Sequence, residues 1–248
     1  MKRKTYLFFL FLITFYFPSF AQTNSPRVHS HNDYEQERPF WEAYEAGCGS
    51  IEVDVFLLKD SLFVAHELET IDKNKTLSSL YLKPIIEVLA NAQTKPFQLL
   101  IDVKTDAEPT LERLILELKK YPALSTQDNV RFVISGNRPA PQHYKSYPPY
   151  IFFDHQSLDD LETIDLNKVA LVSLPFYKTV FWNGKEDLPT LTKQKIKAIL
   201  EIVHAKNLPF RFWATPDTEL SWKTMSVLGV DFINTDSPKV CNAFIKSK

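Results

Sequence analysis

Ser50-Ile51-Glu52-Val53-Asp54-Val55 alternates acids with branched apolar residues. A period of two marks a β-strand, whose successive side chains point to opposite faces. Glu52 and Asp54 therefore share one face, and Ile51, Val53 and Val55 the other. Two like charges side by side on a half-buried strand repel each other and lose hydration. A divalent cation is the natural compensation. The pattern returns at Leu100-Ile101-Asp102-Val103-Lys104, where Asp102 and Lys104 share a face. Glu52, Asp54 and Asp102 offer oxygen alone, which suits Mg2+ or Ca2+ better than zinc. The competing interpretation is an ion-pair cluster with Lys104 or Arg211.

Similar short apolar runs flank this strand. Residues 27–29, 50–55, 98–103, 130–135, 150–153, 169–174, 209–213 and 231–234 read as eight strands. Amphipathic segments fall between them. Leu111, Leu114, Ile115 and Leu118 follow helical spacing, and Ile196, Ile199, Leu200 and Val203 repeat it. Pro84 suits the first turn of a helix running toward Asn91. Lys59-Asp60-Ser61 predicts a turn that returns Phe63-Val64 along the preceding strand. Helices between residues 144 and 174 are expected to be short. Eight strands alternating with helices predict an α/β fold, a single-domain (β/α)8 TIM barrel. The chain has only five glycines and no Gly-rich phosphate loop, which disfavours an open dinucleotide-binding sheet.

A barrel places its functional residues at the carboxyl ends of its strands. Those ends carry His29, His31, Glu52, Asp54, Asp102, Lys104, Ser135, Asn137, Asp154, Ser173, Trp213 and Asp236. Three of the six histidines, His29, His31 and His66, flank the acidic strand. Phosphodiester cleavage needs a base for the nucleophile and an acid for the leaving alkoxide. Two imidazoles supply both near neutral pH. Lys104 is a candidate for a phosphate oxygen, or for a pair with Asp102. Trp213 is a candidate apolar wall, with Phe176 and Tyr177 on another loop.

The first 21 residues read as a secretory leader. Lys2, Arg3 and Lys4 precede a short apolar run, Tyr6 to Phe17, and Ser19-Phe20-Ala21 fits a cleavage site. The expectation is export to the periplasm or medium, with residues 22–248 as one barrel domain and no stable membrane span after cleavage. The net charge of −1 becomes more negative once three leader cations are removed, which argues against nucleic-acid binding. Oligomeric state is not legible. Cys48 and Cys241 lie near the first and last helices, neighbours in a closed barrel. Export permits a disulfide between them; the alternative is two buried thiols. Asn74-Lys75-Thr76 fits a glycosylation acceptor.

In order, these parts resemble the glycerophosphodiester phosphodiesterase and phosphatidylinositol-specific phospholipase C superfamily. Its pattern is a histidine after strand one, Glu-x-Asp on strand two, a second histidine, then an acid-x-Lys on strand three. The matching positions are His31 or His29, Glu52-Val53-Asp54, His66, and Asp102-Val103-Lys104. Trp213 and the segment Gly229-Val230-Asp231-Phe232-Ile233-Asn234-Thr235-Asp236-Ser237-Pro238 match late in the chain. His29-Ser30-His31-Asn32-Asp33-Tyr34, Ala46-Gly47-Cys48 and Leu80-Tyr81-Leu82 look most like the branch named for altered inheritance of mitochondria protein 6.

The resemblance implies a metal-dependent phosphoric diester hydrolase acting on a glycerophosphodiester or phospholipid headgroup. Glu52, Asp54 and Asp102 would be its metal ligands, and Lys104, Asn32 and Trp213 its substrate contacts. His31 and His66 would be its catalytic pair, His31 being favoured over His29 because its spacing matches related phospholipase D toxins. The usual His-Arg-Gly is absent, with Ser30 or Asn32 in the arginine slot. Arg38-Pro39-Phe40 stands where the family has Pro-Glu-Asn-Thr, and Asp102 where it has Glu. Recognition of the glycerol headgroup is therefore not carried over. The alternatives are phospholipase C- or D-like cleavage of a whole lipid, or a barrel that binds phosphorylated ligands or glycans without turnover.

Overall fold

The computed structural model describes residues 26–91 and 94–247. The expected leader, residues 1–21, and its expected cleavage site lie outside the described residues. In chain order the elements are β1 (Arg27–Ser30), α1 (Trp41–Ala46), β2 (Ser50–Leu58), β3 (Ser61–Val64), α2 (Lys83–Leu89), β4 (Phe97–Val103), α3 (Ala107–Leu118) and α4 (Pro122–Thr126). There follow β5 (Val130–Gly136), β6 (Ile151–His155), β7 (Val169–Pro175), α5 (Thr190–His204), β8 (Phe210–Trp213), α6 (Glu219–Leu228), β9 (Phe232–Thr235) and α7 (Pro238–Lys246).

Eight parallel strands close into a barrel because β1 pairs with both β2 and β9. The eight runs marked by the sequence are these eight strands. β3 stands outside the ring, antiparallel to β2, with Val55 opposite Val64 and Leu58 opposite Ser61. Lys59 makes that turn with a left-handed backbone. Two connections depart from the alternating plan. β5 reaches β6 through a 3-10 turn (Pro141–Ser146), and β6 reaches β7 through turns and a second 3-10 turn (Leu166–Lys168). Residues 137–150 carry four prolines, which supply no backbone donors for a longer helix.

β2 is buried on both faces, not half-buried. One face lies under the helices: Ile51, Val53, Val55, Leu99, Ile101, Val103, Phe132 and Ile134 join the large core beneath α2, α3 and α5. The other face lines the barrel interior, where Leu100, Val133, Ala170, Leu171 and Phe232 form a small apolar plug. Two residues further along these strands the same face carries Asp102, Ser135 and Asn234, so a polar layer sits directly above the plug. Polar groups at that level are covered from below by hydrocarbon and open only toward the strand carboxyl ends.

The barrel closes where α1 meets α7. Asn242 Nδ2 donates to Ala46 O, and Lys246 Nζ donates to the same carbonyl at 2.9 Å, capping α1. Cys48 and Cys241 lie in this region as buried free thiols. Burial pushes the Cys48 thiol up to about 12, which makes it unreactive. Among the described residues, no helix is long and apolar enough to cross a membrane.

Candidate functional site

Glu52 and Asp54, midway along β2, come together with Asp102 near the carboxyl end of β4, with Asp54 and Asp102 paired in register. Each offers a carboxylate oxygen within 4.8 Å of the others. Lys104 Nζ lies 3.0 Å from Asp54 Oδ2 and 2.8 Å from Asp102 Oδ2. The remaining oxygens, Asp54 Oδ1 and Asp102 Oδ1, are buried without a hydrogen-bond partner among the described residues. Burial first, then the neighbouring acids, pushes Asp54 up to about 6 against the opposing pull of Lys104. Asp102 is raised for the same reasons. Uncompensated negative charge and orphaned oxygens are what a hard cation relieves, so these residues fit Mg2+ or Ca2+.

Glu52 is held differently. Its Oε2 accepts from Arg211 Nη1 at 2.8 Å and contacts His29 Nε2 at 2.6 Å. Burial alone would raise its pKa, but Arg211 and then His29 hold the carboxyl well below the ordinary range. Arg211 also reaches Asp154 Oδ2 at 3.5 Å, and that oxygen accepts from Ser135 at 2.9 Å and Ser173 at 2.8 Å. One guanidinium on β8 therefore ties together acids from β2 and β6.

Burial separates the two candidate histidines that the sequence left open. His29 has 0% exposure. Ser50 Oγ accepts from Gln98 Nε2 at 2.9 Å and stands 2.7 Å from His29 Nδ1; because Nε2 faces a carboxylate, which only accepts, a neutral ring keeps its proton on Nε2 and accepts from the Ser50 hydroxyl at Nδ1. Nε2 then donates to Glu52. Burial first, then Arg211, lowers His29 to about 3, so the ring is neutral. His31, by contrast, lines the cavity and is 32% exposed. Its Nδ1 lies 2.6 Å from Asp236 Oδ1, and Nε2 lies 3.9 Å from Glu52 Oε1. A carboxylate only accepts, so Nδ1 carries a proton and Nε2 is the exchangeable nitrogen. Burial opposes the charged ring, yet Asp236 and Glu52 outweigh it and the His31 pKa is raised. Asp236 is fixed in turn by Asp217, whose Oδ2 accepts from its backbone N–H at 3.0 Å.

His66 follows β3 and is 54% exposed. Its Nδ1 stands 3.0 Å from the Tyr34 hydroxyl, which is 2.8 Å from Asp54 Oδ2 and 3.0 Å from Asn32 Oδ1. Tyr34 has one proton. Given to the Asp54 carboxylate, it leaves the phenol oxygen to accept from His66 Nδ1–H, and Nε2 is again the exchangeable nitrogen. Asn32 adopts a left-handed backbone that turns the chain from His31 toward Tyr34.

A cavity of about 330 Å³ joins His31, Glu52, Asp102, Lys104, Gln156, Arg211 and Trp213. Ser135 and Gly136 complete its wall. The structure thus gathers His31, Glu52, Asp102, Lys104 and Trp213 around one space. It sets Asp54, Asn32 and His66 beside that group through Tyr34, and leaves His29 behind Glu52. Tyr34, Gly136 and Gln156 were not singled out by the sequence. The alternation rule offers no signal for them, because Tyr34 and Gln156 act from outside the strands and Gly136, the last residue of β5, has no side chain to alternate.

Comparisons place this architecture. Residues 20–98 match an AIM6-like phosphodiesterase domain, and residues 209–239 match the glycerophosphoryl diester phosphodiesterase family. An altered inheritance of mitochondria protein 6 homolog from Arthroderma benhamiae is 31% identical over 88% of this chain and 83% of its own. Altered inheritance of mitochondria protein 6 from Eremothecium gossypii is 27% identical over 88% of this chain and 69% of its own. Among solved structures, a glycerophosphodiester phosphodiesterase from Parabacteroides distasonis superposes with a TM-score of 0.61 at 17% identity. That match covers 90% of this chain and 98% of the other. A calcium-dependent phosphoinositol-specific phospholipase C from a Pseudomonas species gives 0.56 at 11% identity, covering 87% and 90%. At such identities the structural matches establish the shared barrel alone. The Arthroderma benhamiae relative makes the chain a member of the altered inheritance of mitochondria protein 6 family, on a fold shared with glycerophosphodiester phosphodiesterases and phosphoinositol-specific phospholipases C.

Proposed function

We propose that the protein is a metal-dependent phosphoric diester hydrolase that cleaves a glycerophosphodiester or phospholipid headgroup by histidine acid–base catalysis. The observation that carries this reading is the three-carboxylate cluster, with two orphaned buried oxygens, beside an Asp-oriented histidine at the barrel mouth. Glu52, Asp54 and Asp102 would hold one Mg2+ or Ca2+. Such a cation neutralises negative charge on the phosphoryl oxygens. His31 and His66 are the general base and acid, each presenting Nε2 because Nδ1 is engaged. Lys104 uses two of its three N–H groups on Asp54 and Asp102 and has one left for a phosphate oxygen. Trp213 forms a wall of the cavity. His29 and Arg211 are positioning residues that hold Glu52 ionised and in place. The leader at residues 1–21 supports placing this activity outside the cytoplasm.

His66→Ala and Asp102→Asn test the reading. Neither residue is a partner of the buried Arg211, whereas removing Glu52 would strand that guanidinium and endanger the fold. Hydrolysis of a glycerophosphodiester panel is expected to fall by about a hundredfold or more in His66→Ala, at unchanged circular dichroism. Chelation with EDTA should abolish it in the wild type. Two folded variants with full activity would overturn the assignment.

A further inference from the structure

The connection from β7 to α5 leaves the carboxyl end of the barrel and carries Phe176-Tyr177-Lys178-Thr179-Val180-Phe181-Trp182-Asn183-Gly184-Lys185. Phe181 is 97% exposed, the most exposed large hydrophobic side chain among the described residues. Tyr177 is 58% exposed. A free-hanging loop would explain such exposure, but this loop is anchored on both sides of Phe181. Phe176 is buried, edge-on to Phe212 at 5.4 Å and close to Trp182 at 6.0 Å. Trp182 Nε1 donates to Glu186 O at 2.8 Å, and Thr218 Oγ1 donates to the buried Gly184 carbonyl at 3.0 Å. Thr179 N–H closes the first turn on Phe176 O at 2.8 Å. The loop thus presents a phenyl ring to water on a fixed support.

The base of the same loop borders the proposed catalytic cavity. Tyr177 packs edge-on against Trp213 at 5.6 Å, and Trp213 lines that cavity. Exposed Lys178 and Lys185 bracket Phe181, and Lys193 neutralises Asp187 behind them at 2.7 Å. Aromatic rings with flanking lysines suit the headgroup layer of a bilayer, where the ring enters the apolar boundary and the cations meet lipid phosphates. A single convex ring suits a deformable lipid surface better than a protein partner, which needs a complementary face of about 800 Å².

We propose that this loop docks the protein on a phospholipid bilayer, so that the diester reaching the cavity belongs to a membrane lipid. The inference rests on the phosphodiesterase reading for the identity of the substrate, and on the loop alone for the docking. It departs from the sequence, which shows no amphipathic anchor, because the device is one ring on a supported loop and leaves no periodic signal.

Co-sedimentation with mixed phosphatidylcholine–phosphatidylglycerol vesicles tests it, using the chain from Gln22 onward, which contains the entire closed barrel. Wild type should pellet with the vesicles. Phe181→Ser should lower partitioning about tenfold. Val227→Ser, which removes a 77% exposed side chain from α6, should leave it unchanged. All three should hydrolyse a soluble glycerophosphodiester equally. Wild type that stays in the supernatant, or Phe181→Ser that pellets like wild type, overturns the docking and leaves the phosphodiesterase reading standing. So does a wild-type dimer in sedimentation velocity that Phe181→Ser dissolves, since a second copy would then cover the ring. Vesicle binding without hydrolysis of any diester supports the docking and removes the phosphodiesterase reading instead.

Discussion

Gly136 ends β5 with φ +65°, and a Cβ built there would lie 1.9 Å from Asp102 Oδ1 and 2.6 Å from Val103 O. The glycine therefore makes the space in which Asp102 keeps an oxygen free. Gly136→Ala combines backbone strain with a collision against a carboxylate and a main-chain oxygen. It should cost about 2–4 kcal/mol of unfolding free energy in urea titrations and displace Asp102 from the cluster. An unchanged midpoint would show that the β5 end relaxes without strain. Residue-scale legibility was uneven for a simple reason. Glu52 and Asp54 on β2, and Asp102 on β4, announce themselves by alternation within their own strands. Asp236 touches His31 from 205 positions away, and Arg211 touches Glu52 from 159 positions away. Such pairings have no local signature.

The segment linking β1 to α1 sets the positions of His31, Asn32 and Tyr34, and a buried carboxylate holds it together. Asp33 accepts from Ser30 Oγ at 2.9 Å, Phe40 N–H at 2.6 Å and the Tyr81 hydroxyl at 3.0 Å. Phe40 itself sits at φ +67°. Three hydrogen bonds to one carboxylate thus fix the turn that follows His31. Burial outweighs the three hydrogen bonds and raises Asp33 from 3.8 to about 6. An acid with a raised folded-state pKa binds more protons folded than unfolded between those values, so its contribution to stability declines as pH rises. Over the whole window, from below pH 4 to about pH 7, the loss from this group is on the order of 3 kcal/mol, and about two thirds of it falls between pH 4 and pH 6. Asp33→Asn should remove that part of the slope. A difference between wild type and variant that stays flat from pH 4 to 6.5, measured by chemical denaturation, would refute the assignment (pH window about the values above).

At the scale of the whole molecule, barrel closure concentrates acids from β2, β4 and β6 above one apolar plug, with Arg211 and Lys104 as their cations. Ligation by Glu52, Asp54 and Asp102 would draw two strands of the ring together, so a bound cation should stabilise the entire fold. At a hundredfold excess over its dissociation constant the gain is about 2.7 kcal/mol. Scanning calorimetry should show a higher melting temperature in Ca2+ or Mg2+ than in EDTA, and Asp102→Asn should lose most of the shift. Indifference of the wild type to both ions would count against the metal site while leaving the fold untouched.

By itself, the sequence determined the strands, the hairpin after β2, the barrel and the three acids, because alternation and helical spacing are local properties of the chain. Short helices between residues 144 and 174 were also expected from the sequence, and the structure has 3-10 turns there. Tertiary structure alone decided which histidine meets the cavity, how Glu52 stays ionised in a buried layer, and that Cys48 and Cys241 remain free thiols. It alone showed that Phe181 stands in water. Burial and long-range partners set pKa, tautomer and exposure, and those partners meet only when β1 closes against β9.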